Sequence, residues 1–163
     1  MNLATTMGAS SSTFSKAVLA IFWGGLACGV LDIGQAFIVF GLLRGAAPVR
    51  VLQSVASGLL GAKAFQGGAG SAALGLTLHF LIAFTAAAIY YAASRNIGFM
   101  NQRAVLSGLL YGEMVFLFMN FVVVPLSAIH RVPPFTMAQL ITGPIGHTFL
   151  VGLPIALAVR KFS

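Results

Sequence analysis

AVLAIFWGGLACGVLDIGQAFIVFGLL, residues 17–43, contains no basic side chain and a single carboxylate, Asp32. At ~1.5 Å rise per helical residue, a run of this length crosses the ~30 Å hydrocarbon core of a bilayer. A carboxylate inside such a span is costly in lipid and is expected to face protein or a wet cavity. Gly25, Cys28, Gly29, Asp32, Gln35 and Ala36 fall on one face of the helix; Leu26, Val30, Ile33, Phe37 and Phe40 fall on the other. Small residues let helices approach closely, so the Asp32 face should pack inward.

The rest of the chain agrees with that reading. Of its 163 residues 59% are hydrophobic and only 7% charged, against about 25% charged in soluble domains. Backbone groups facing lipid must be satisfied internally, and continuous apolar runs without period-two alternation choose helices over a barrel. An all-α integral membrane fold is therefore expected, one domain over 16–163 after a disordered tail at 1–15. Its four transmembrane helices lie at about 17–43, 71–94, 104–129 and 137–159. Between the first two, residues 49–65 carry Arg50, Gln53, Ser54, Ser57 and Gly61 at helical spacing. Such a stripe predicts an interfacial amphipathic helix, with a re-entrant segment as the alternative.

Local signals mark the boundaries. Ser15 is placed to cap the first helix, Pro48 to open the second, and the glycines at 67, 68 and 70 to separate it from the next span. Tyr90 and Tyr91 are expected at headgroup level. Gly108 and Gly112 form a GxxxG pair, His130–Pro134 a loop, and Pro144 a kink in the last span.

The net charge of +7 comes from nine Lys and Arg against Asp32 and Glu113. These basic residues flank the apolar runs, as side chains that snorkel to headgroups do. No basic face is left for nucleic acid; the expected partners are the lipid bilayer and a second copy or a larger membrane protein. Lys16, Arg95, Arg103, Arg160 and Lys161 lie on one side, Arg44, Arg50, Lys63 and Arg131 on the other, which leans toward cytoplasmic termini. The lone Cys28 excludes an intrachain disulfide. Gly25–Cys28 resembles a lipoprotein signal, but the apolar run continues well past it.

Depth relates the polar residues of different spans. Measured from the side holding residues 49–65, Asp32 lies at ~16 Å, His79 at ~12 Å, Asn120 at ~14 Å and His147 at ~15 Å. All four are near the ~15 Å half-thickness of the core, and Glu113 lies somewhat deeper. These five residues either fix helix register through hydrogen bonds or line a translocation site for a proton or small solute. A scaffold or accessory subunit is the alternative. His79 and His147 also have the ligand chemistry for a bis-His haem electron carrier, and with Asp32 and Glu113 for zinc. No short ligand spacing supports a metal, and no cofactor is expected. GxSxG, Walker, HExxH and CxxC motifs are absent, so no enzyme is expected.

GVLDIGQAF (29–37), VLQSVASGLLGAKAFQGG (51–68) and LGLTLHFLIAF (74–84) resemble stretches of small uncharacterised bacterial inner-membrane proteins with four predicted spans. That resemblance implies a multi-pass protein of the bacterial inner membrane. It implies no activity and no site residues.

Overall fold

Apolar runs with no competing strand pattern satisfy their backbone internally as helices. The computed structural model describes the backbone of residues 3–130 and 136–162, and the side chains of these except residues 3–13 and 138. Of the loop expected at His130–Pro134, only His130 falls within them. The elements are α1 (Leu3–Arg44), α2 (Pro48–Leu60) with a 3-10 turn Gly61–Gln66, α3 (Gly68–Asn96), α4 (Gly98–Gln102) and α5 (Ala104–Phe118). A π-helical turn Met119–Val123 and α6 (Val124–Leu126) continue α5; then α7 (Met137–Gly146), a π-helical turn His147–Gly152 and α8 (Leu153–Phe162) close the chain. No strand occurs among the described residues.

Four helices are long and apolar enough to cross a membrane: Phe14–Arg44, Gly68–Asn96, Ala104–Leu126 and Gln139–Phe162. Leu31, Ile38, Leu81, Met114, Phe121 and Ile145 are among many large apolar side chains on the outside. Such an exterior fits a multi-pass membrane protein, because lipid solvates it at no cost.

The first span packs on α3 and α8, and the third packs on the fourth. Glycine makes the second of these contacts possible. A methyl built on Gly108 would stand 2.7 Å from the Ala156 Cβ, and one on Gly112 would stand 2.7 Å from the Thr148 Cα. Only hydrogen fits there, so the GxxxG pair brings two backbones together and gains dispersion along their seam. Around Ala20, Cys28, Ala87, Tyr90, Ile155 and Val159 the bundle is solid. This packed half holds the N-terminal part of the first span and the C-terminal parts of the second and fourth.

Several local expectations are corrected. The first helix begins at Leu3 rather than near Lys16. The Ser/Thr-rich segment has modest helix propensity but no proline, so the stable span propagates back through it. Tyr90 turns inward: it is fully buried, its hydroxyl 2.7 Å from Ser107 Oγ. The polar stripe of α2 is split. Gln53 and Ser57 are buried toward α3, while Val49, Leu59 and Leu60 are exposed. Gly75 admits the Leu52 carbonyl against α3, and Gln53 Nε2 donates to the Gly68 carbonyl at 3.0 Å. The fourth span stays helical through Pro144 and also widens at His147–Gly152. Both π-helical turns end two residues before a proline, Pro125 and Pro154. A proline's missing N–H and ring bulk already deny the α-helical ladder one bond there.

Candidate functional site

The other half of the bundle is hollow. A cavity of about 240 Å³ lies between the first span, the third span and α7; Asp32, Gln35, Phe116, Asn120, Thr142 and His147 are on its wall. A second, of about 200 Å³, adjoins it and is lined by Cys28, Asp32, Val55, His79, Met119 and His147. Asp32 and His147 belong to both walls. A third, of about 210 Å³, shares Val39, Phe40 and Gln139 with the first and ends at Arg44 and Thr136. Through these shared residues they form a line of spaces from Ala86 and Val151 to the end of the bundle where α1 stops.

Helical spacing places the side chains. Asp32 and Gln35 are one turn apart on α1, and Gly143 and His147 are one turn apart on the fourth span. Asn120 follows Phe116 by one turn, at the start of the π-helical turn. The ring of His147 meets that of Phe116 edge-on, with centroids 5.3 Å apart. Gly146 is buried against Gln35, and a methyl there would run into the Gln35 amide.

Hydrogen bonds fix how these groups are presented. His79 Nε2 lies 2.8 Å from the Gly29 carbonyl and His147 Nδ1 lies 3.0 Å from the Gly143 carbonyl. A carbonyl only accepts, so each ring donates through that nitrogen and, when neutral, keeps a lone pair on the other. Gln35 Nε2 donates to the Thr142 carbonyl at 2.9 Å, and Asn120 Nδ2 to the Phe116 carbonyl at 2.9 Å. The same reasoning leaves both amide oxygens as acceptors.

Comparison with protein-family models, curated proteins and solved structures finds no match. Of what the sequence resemblance implied, the helices of the structure support the four spans.

Of the five residues singled out by depth, Asp32, His79, Asn120 and His147 line the first two cavities. Glu113 is on neither wall. It accepts a 3.3 Å hydrogen bond from Thr148 Oγ1 instead. Seven residues separate it from Asn120, ~10 Å along the axis, which puts it beside Gly112 where the glycine seam fills the space. Among the described residues no three His, Cys, Asp or Glu side chains gather to hold a metal ion, so the zinc grouping of Asp32, His79, Glu113 and His147 is not assembled. Gln35, Gln139 and Thr142 were not singled out. Gln35 had a signal, standing one turn from Asp32 on the small-residue face; Thr142 and Gln139 had none.

The two ends differ. Toward the packed half the cavities stop at the buried core, where Tyr111 donates to the Ala86 carbonyl at 2.8 Å and Tyr90 meets Ser107. At the other end, Gln139 closes a capping box with Thr136 at the start of α7. Its Oε1 also accepts from Arg44 at 2.9 Å. One hydrogen bond between exposed side chains therefore spans the mouth.

Proposed function

We propose that this membrane protein admits a proton or small solute to a polar site in the middle of the bilayer and hands it on, with Asp32 and His147 as the central groups. The observation that carries this reading is the wall shared by two adjoining cavities: it holds one of the chain's two carboxylates and an imidazole, with His79 and Asn120 on either side. Ionisable groups are costly within a span, and their convergence on open space at a common depth is how membrane proteins build a pathway. The packed end opposite implies that passage requires a rearrangement rather than a standing pore.

As to placement, we assign the protein to a bacterial inner membrane with cytoplasmic termini. A reporter fused to the C-terminus that reads the opposite compartment overturns that orientation.

The function is tested with the full chain in proteoliposomes carrying a trapped pH dye and an imposed gradient. Wild type should dissipate the gradient, or take up a solute from a panel, faster than empty vesicles. Asp32→Asn and His147→Ala should slow it at least about tenfold, the effect of losing one charge-assisted hydrogen bond. Folded variants that match wild type in both assays overturn the reading.

A further inference from the structure

The walls of the first two cavities have a common bias. Four polar side chains on them donate a hydrogen bond to a backbone carbonyl, Gln35 to Thr142, His79 to Gly29, Asn120 to Phe116 and His147 to Gly143, whereas Gln139, at the mouth of the first, accepts one from Arg44. Around Asp32 the hydrogen-bonding capacity these side chains leave unused is chiefly acceptor: the Asn120 amide oxygen, a lone pair on each ring when neutral, and the carboxylate itself. No Lys or Arg lines either cavity. An occupant with acceptors of its own, such as a carboxylate or phosphate, would find few donors and one negative charge. One that donates several hydrogen bonds and carries positive charge satisfies the wall.

We infer that the Asp32 site binds a small protonated primary amine, its ammonium group at Asp32 and His147 and its short apolar tail against Phe40 and Phe116. The ammonium offers three donors and no acceptor. Asp32 and His147 line both cavities, and Asn120 supplies the third acceptor from the larger one. Phe40, Phe116, Ala36 and Val39 make one stretch of that cavity's wall apolar, which suits an alkyl chain better than a second polar group. A cavity of 150 Å³ can lodge benzene, so about 240 Å³ holds an amine of about four to eight heavy atoms. This assignment rests on the reading of the cavity as a ligand site and adds the class of solute to it.

Equilibrium dialysis of labelled propylammonium against the detergent-solubilised full chain tests it, with unlabelled propan-1-ol and propionate as competitors at fixed ionic strength. Saturable binding is expected, and each competitor should be at least about tenfold weaker than unlabelled propylammonium. Asp32→Asn should weaken binding about 10- to 100-fold. Asn120→Asp, which adds a negative group on the same wall, should tighten it, so a gain is measurable even if Asp32→Asn folds poorly. If propan-1-ol or propionate competes as well as the amine, the solute class is wrong while the ligand site stands. If no probe binds yet Asp32 is needed for proton flux in vesicles, the amine is wrong and the proton reading stands. Absence of both binding and Asp32-dependent flux overturns both.

Discussion

Replacing Gly112 by alanine tests the seam that positions His147. The new methyl would stand 2.7 Å from the Thr148 Cα and closer still to the His147 carbonyl oxygen. Carbon atoms rest at ~3.5–4.0 Å, so the third and fourth spans must part by about 1 Å over their tightest contact. Both obstacles are backbone, and no side chain can swing aside. Overpacking of this kind costs about 1–3 kcal/mol, offset by up to ~1 kcal/mol of gained helix propensity, for a net loss of about 1 kcal/mol. For a chain of this size that lowers Tm by about 2–4 °C. Gly34→Ala is the control, since a methyl there meets nothing within 4 Å and should stabilise by up to ~1 kcal/mol through propensity alone. Thermal unfolding in one detergent, followed by Trp23 fluorescence and circular dichroism, compares the two. If Gly112→Ala is as stable as Gly34→Ala, the close backbone approach is not what holds these spans together.

Three other perturbations separate the hollow half from the packed one. Gln35→Leu removes the 2.9 Å bond to the Thr142 carbonyl; it should cost about 1–2 kcal/mol in unfolding and lower propylammonium binding. Tyr90→Phe deletes the hydroxyl that meets Ser107 at 2.7 Å. A loss of about 1–2 kcal/mol with unchanged flux is expected, and a loss of flux would mean that the packed half takes part in passage. Val39→Cys, on a Cys28→Ala background, places a thiol where the first and third cavities join. A membrane-impermeant thiol reagent should modify it from one side of the vesicle only, and equal labelling from both sides would refute a single mouth.

Span number and type were legible because lipid demands long uninterrupted apolar runs, and 17–43 admits no other reading. The inward faces were harder to read. In a bilayer both the core and the exterior are apolar, so hydrophobic periodicity, the usual guide, says little. Small residues carried the signal instead, at Gly108 and Gly112 and along the Asp32 face. The same rule misled at α2, where a polar stripe normally marks water: Gln53 and Ser57 turn inward to a neighbouring helix. Depth counted along regular helices brought Asp32, His79, Asn120 and His147 near one level. It could not foresee that Glu113 belongs to the glycine seam, or that Gln139 would reach Arg44 across 95 positions of sequence. The burial of Tyr90 was not legible, because an aromatic near a span's end resembles an anchor and its partner Ser107 is supplied by another span.

The wide turn at His147–Gly152 also determines where this chain tolerates a change of length. Removing one residue from an ordinary transmembrane helix rotates everything beyond it by ~100°, presenting core side chains to acyl tails. A turn that already holds a surplus residue can lose it and relax to the common pitch, leaving Ile155, Ala156 and Val159 on their buried face. The penalty is local, because the tightened ladder would point one more carbonyl at the Pro154 ring. Single-residue deletions should therefore be survivable in 147–152 and ruinous in the glycine-lined stretch of the third span.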